Sequence, residues 1–147
     1  MYLTRSTFTE ARFQYTEHLT REVMWQPHLL SHPNGAIGLA EVFLCSPHSS
    51  ETAAKLSPAT GVAAHPVAAG EIRMQFQNSA LTVIGPDEWQ HLAPQNVLPP
   101  LPAPVGFGVK VTSLARTRTL LRQNKVEFVE RSGVWVSVCG TILRFAE

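Results

Sequence analysis

The sequence predicts an α+β domain made of two βαβββ units. Three observations carry that expectation. The same order of elements, a strand, a helix and then three short strands, occurs twice, over about 35–92 and again over 104–147. Each unit opens on an apolar strand, "GLAEVFLCS" in the first and "GFGVKVTS" in the second. Between the units lies "APQNVLPPLPAP", whose five prolines remove backbone donors and favour extended polyproline backbone. Residues 93–103 therefore read as a semi-rigid connector. Residues 1–34 read as an N-terminal arm, and 35–147 as the module.

In the arm, "ARFQYT" is strand-like and "HLTREVMWQPHLLSHPNG" irregular. It ends at Asn34-Gly35, a pair that tolerates positive φ. The first unit's helix is "SSETAAKLS", capped by Ser49 or Ser50 and stopped by Pro58 and Gly61. Three strands follow, "AAHPVA", "EIRMQFQ" and "ALTVIG", with a hairpin turn at Asn78-Ser79. In the second unit "SLARTRTLLRQN" is a helix capped by Thr112 or Ser113. Leu114, Thr117, Leu120 and Leu121 form its apolar stripe, and Asn124 suits its C-terminus. The strands "VEFVE", "VWVSV" and "TILRFA" complete it, with turns at Ser132-Gly133 and Cys139-Gly140.

With 147 residues the chain can bury a core. It is 44% hydrophobic and 16% charged, which is ordinary for a soluble globular domain. A formal net charge of +1 sets up no field for nucleic acid or an anionic membrane. No apolar run is long enough to span a bilayer, and the N-terminus lacks the apolar stretch of a secretion signal. Cys45 and Cys139 read as reduced thiols of a cytoplasmic protein. Cys139 has no histidine predicted near it to make it a nucleophile. The six histidines offer no metal-spaced pair: His32 shapes a turn, and His48 and His65 fall in loops. The basic helix, with Arg116, Arg118, Arg122 and Lys125, reads as a solvated face.

The texture of "HPNGAIGLAEVFL", "SALTVIGPDEW", the proline-rich connector, "GFGVKVTSLARTRTLLRQNKVEF" and "CGTILRFAE" resembles the vicinal oxygen chelate superfamily. This is the glyoxalase/bleomycin resistance/dioxygenase group, and the texture is closest to its glyoxalase-like domains. The resemblance covers residues 32–147. It implies a curved mixed sheet with a cleft and a helix on the outer face of each unit. Strand alternation then puts Val42, Leu44, Phe107, Val109, Val111, Leu143 and Phe145 outward. Glu41, Phe43, Gly106, Gly108, Lys110, Ile142 and Arg144 face the cleft. Trp135 lines the cleft or packs beside it, and Arg73 defaults to solvent. On the arm, His18 and Trp25 could fold over the mouth, although packing is the expected role for Trp25.

Enzymes of that superfamily hold a divalent metal with His, Gln or Glu on four strands. The matching positions here are Glu41, Gly85, Gly106 and Arg144. Two glycines and a fixed cation cannot ligate, so no metal and no other cofactor is expected. Arg144 then either pairs with Glu41 or grips an anionic or carbonyl-bearing ligand through a forked pair of hydrogen bonds. The leading expectation is a small organic ligand bound in a metal-free cleft by Glu41, Phe43, Lys110, Trp135 and Arg144. One alternative is a lyase or isomerase of a carbonyl substrate, with Glu41 as base and Arg144 holding the oxyanion. Another is a non-catalytic module that dimerises; a homodimer is expected in any case.

Overall fold

The computed structural model describes residue 16 and residues 18–147. The strand expected at "ARFQYT" lies outside these, apart from Thr16. The described part of the arm holds a single helical turn, α1 (Arg21–Met24), and a 3-10 turn at Pro27–Leu29. His18 and Trp25 are exposed there. The first unit is β1 (Ala36–Cys45), α2 (Ser49–Thr60), β2 (Ala64–Ala68), β3 (Glu71–Gln75) and β4 (Ala80–Ile84). A helix not expected from the sequence, α3 (Pro86–Leu92), follows it. The second unit is β5 (Ala103–Val111), α4 (Leu114–Gln123), β6 (Val129–Glu130), β7 (Val134–Val138) and β8 (Thr141–Ala146).

All eight strands form one sheet in the order β2-β3-β4-β1-β5-β8-β7-β6. In each unit the first strand runs parallel to the last, β1 with β4 and β5 with β8. The units join through antiparallel β1 and β5. The repeat read from the sequence is therefore a repeat of topology.

Local chemistry accounts for the element ends. Gly35, at φ +77°, donates to the His32 carbonyl at 2.9 Å, and the Asn34 side chain accepts from Ala36 N, so the turn delivers the chain into β1. Ser113 Oγ caps α4 by accepting from Arg116 N at 3.2 Å, and Asn124 closes it. Glu147 Oε1 adds a second acceptor, for Leu114 N, at 2.5 Å. Two expectations about α2 need correction. Its first residue is preceded by His48, with no serine cap, and the helix runs through Pro58 to Gly61, at φ +69°. The bond that Pro58 forfeits would fall on the carbonyl of exposed Ala54, which water can satisfy. β6 is likewise shorter than "VEFVE".

Alternate residues divide the sheet into two faces. On one, α2 packs Ala53 and Leu56 onto Leu44, Met74 and Val83. On the other, α3 lays Trp89 and Leu92 against Phe43, Cys45, Ile84, Val105, Trp135 and Ile142. Gly85 ends β4, Pro86 opens the helix, and Asp87 and Glu88 sit in its first turn, where acidic side chains suit the dipole. Phe107 departs from expectation. It is 40% exposed and shares a shallow apolar groove with Leu39, Val42 and Pro104.

Two outcomes follow from this packing. A Cβ on Gly106 would stand 2.2 Å from Ile142 Cγ1 and 2.3 Å from its carbonyl oxygen. Gly106→Ala should therefore cost about 2 kcal/mol or more in a urea unfolding titration. Both cysteines are free, and burial pushes the Cys45 thiol up to about 11 while Cys139 is exposed. A thiol reagent at about pH 8 should modify Cys139 in the native protein and reach Cys45 only after unfolding.

Candidate functional site

The site begins with a row of residues across the middle of the sheet. On β5, Gly108 is the register partner of Glu41 on β1 and of Arg144 on β8. Next along, Arg144 pairs with Trp135 on β7. Gly108 has no side chain, so Glu41 and Arg144 meet over it. A Cβ there would lie 3.0 Å from Glu41 Cβ.

Glu41 is 3% exposed, and both its oxygens are engaged. Oε2 accepts from Arg144 Nη1 at 2.8 Å. Oε1 accepts from Arg73 Nη2 and from the Thr82 hydroxyl. That hydroxyl in turn accepts from Arg73 Nε at 3.2 Å. A desolvated carboxylate with two guanidiniums and a hydroxyl is a satisfied charge.

Arg144 also reaches the turn after β6. Its Nε and Nη2 both donate to the Ser132 carbonyl, at 3.1 and 2.7 Å. Ser132, at φ +46°, and Gly133, at φ +129°, make this turn. Trp135 Nε1 ties it from the other side, donating to the Arg131 carbonyl at 2.6 Å. Held this way, Arg131 places Nη1 2.7 Å from Glu88 Oε1 on α3.

These side chains wall a cavity of about 320 Å³. Arg73, Arg131, Arg144, Glu71 and Glu88 form its charged lining, and Phe43, Val67, Ala68 and Trp135 its apolar lining. The rings of Phe43 and Trp135 are 5.2 Å apart, and the Arg144 guanidinium lies 5.5 Å from the Trp135 ring centre. Glu71 differs from Glu41 and Glu88, the other two carboxylates at the cavity. Among the described residues no hydrogen bond or ion pair reaches its side chain. Burial, reinforced by the charges of Glu88 and Glu41, holds its carboxyl above the usual range, while Arg131 and Arg73 pull the other way.

Of the residues expected at the site, Phe43, Trp135 and Arg144 line the cavity, and Glu41 lies behind its wall. Lys110 does not join them. It is exposed and pairs with Gly38 and Ala146, beyond the register shift between Leu39 and Glu41 that breaks the β1–β5 ladder. Arg73 turns to Glu41 and not to solvent. The forked pair of Arg144 donors is spent on Ser132, so this residue cannot grip a ligand with it. Glu41 does not suit the role of base, because three donors hold its oxygens and Arg144 pairs with it fully. Glu71, Glu88 and Arg131 are the charged lining residues that sequence reasoning missed, with Val67, Ala68 and Ser132 beside them.

The positions matched to the superfamily's metal ligands do not fit a divalent ion. Gly85 and Gly106 offer no side-chain donor, and Glu41 is already held by cations. Among the described residues no group of three His, Cys, Asp or Glu could hold one. No protein-family model matches the sequence. No curated protein matches it either. Solved structures do. Methylmalonyl-CoA epimerase from Mycobacterium tuberculosis superposes with a TM-score of 0.61 at 14% identity, covering 78% of this chain and 90% of that one. A selenomethionine-labelled methylmalonyl-CoA epimerase gives 0.55 at 12%, over 78% and 97%. A hypothetical protein from Bacillus halodurans gives 0.54 at 8%, over 74% and 91%.

The chain has the vicinal oxygen chelate fold.

Within that fold, the Glu41 cluster yields a direct test. Arg144→Ala removes one buried partner and releases the Ser132 turn, and should cost about 3 kcal/mol in urea unfolding. Arg73→Ala should cost less, since the Arg73 side chain is 29% exposed and that of Arg144 17%.

Proposed function

We propose that this protein binds a small organic ligand, anionic or carbonyl-bearing, in a cleft that works without a metal. The observation that carries this reading is the open cavity of about 320 Å³ beside a fully paired Glu41. A module kept only for its shape would have no reason to leave charged side chains around a hollow. Arg131 has one amino group unused by Glu88, and its side chain is 51% exposed. Arg73 also has an amino group beyond those given to Glu41 and Thr82. These donors can take a carboxylate or carbonyl oxygen, while Phe43, Val67 and Trp135 take the apolar body.

A carbonyl lyase or isomerase would need a base other than Glu41. The proposal includes a cytoplasmic homodimer, and among the described residues no helix is long and apolar enough to cross a membrane.

The test is a thermal-shift screen of small carboxylates and carbonyl compounds against the wild type and Ala68→Trp, which fills the cavity. A binder at saturating concentration should raise the wild-type midpoint by several degrees, a stabilisation of roughly 2–3 kcal/mol. It should leave Ala68→Trp unmoved. Equal shifts in both proteins would place binding elsewhere and refute the reading.

A further inference from the structure

The cavity's charges narrow the class of ligand. Glu41 is held by Arg73 and Arg144, and Glu88 by Arg131. Three arginines against these two carboxylates leave a sum of +1. Glu71, which has no hydrogen-bond or ion-pair partner among the described residues, brings it to zero when ionised. A ligand carboxylate entering beside an ionised Glu71 would put a second unpaired negative charge into a partly desolvated space. A cationic ligand would meet three guanidiniums. A dianion would bring a charge that nothing in the lining offsets.

We propose that the ligand is a small monocarboxylic acid with an apolar body, taken up together with one proton that settles on Glu71. This rests on the reading of the cavity as a ligand site. The charged groups around Glu71 are Glu41 on β1, Arg73 on its own strand, Glu88 on α3, Arg131 in the turn before β7 and Arg144 on β8. The three arginines stay charged throughout. Glu41 and Glu88 are already engaged in ion pairs with them. That leaves Glu71 as the carboxyl free to change its protonation when an anion arrives. The neutral carboxyl then stands beside the ligand as a hydrogen-bond donor, while Arg131 and Arg73 supply the charge. The apolar body lies on Phe43, Val67 and Trp135.

The sign follows from linkage. An anion that binds better to protonated Glu71 raises the proton affinity of that group. Its binding is therefore tight at low pH and weakens as pH rises through the titration of free Glu71.

The experiment is isothermal titration calorimetry with phenylacetate and with hexanoate, from about pH 5 to about pH 8, in two buffers of different ionisation heat. Wild type should lose affinity by up to about tenfold per pH unit over the upper part of that range and take up about one proton on binding. Glu71→Gln, which keeps the shape of the neutral acid, should bind at all pH values with near-constant affinity and no proton uptake. Binding without pH dependence or proton uptake in the wild type would overturn the proton-coupled site and leave the cavity reading intact. So would pH dependence that persists in Glu71→Gln. The wild-type proton count decides the matter even if the variant folds poorly. No binding of either acid at any pH would overturn the monocarboxylate assignment, and the thermal-shift screen would then judge the cavity alone.

Discussion

A carboxylate 3% exposed in the middle of a sheet is the constraint around which this module is arranged. An ion there is tenable only if it is paired and both its oxygens find donors. Glu41 finds Arg144 two strands away in one direction, and Thr82 and Arg73 on the next two strands in the other. The first contact needs Gly108 to have no side chain. The second needs β3 and β4 in their observed register, with Arg73 opposite Thr82. The charge of one residue thus ties together β3, β4, β1, β5 and β8, across the junction between the two units.

The same cluster shapes the cavity. Arg144 holds Glu41 with one nitrogen and the Ser132 carbonyl with two others, so the buried charge also positions the turn that carries Arg131. Trp135 braces that turn through its indole N–H and gives its ring to the wall. Three acids then have three different circumstances. Glu41 is locked, Glu88 is paired at the rim, and Glu71 is left with a raised proton affinity and no partner among the described residues. The resulting site has donors for an oxygen-bearing group, an apolar wall and one acid able to exchange a proton.

Much of the architecture was legible in the sequence because it follows from short-range rules. Strand alternation placed Glu41, Phe43, Ile142 and Arg144 on one face and Leu44 on the other. Asn34-Gly35, Ser113, Asn124 and the two glycine turns marked element ends. The misses have physical causes. Alternation in β3 sets Arg73 opposite Ile72 and Met74, but cannot say whether that face meets a buried acid or water. α3 opens on Pro86 and two acids, but its seven residues give too little periodicity to be read as a helix, so it was not expected and Glu88 went unassigned. Glu71 opens a strand beside a turn, where solvent is the default. Lys110 had the right alternation, but the irregular β1–β5 ladder carries it past the end of the cleft.

The central claim is that Glu41, held by Arg73 on one side and Arg144 on the other, is paired with arginines and not free to ligate a metal. Elemental analysis tests it most directly, on protein incubated with zinc, nickel, manganese and iron(II) and then cleared of loose ions. With Glu41 held between Arg73 and Arg144, the account predicts no stoichiometric metal from any of them. A tightly held ion at one per chain, lost in Glu41→Gln, would contradict it and make Glu41 a ligand.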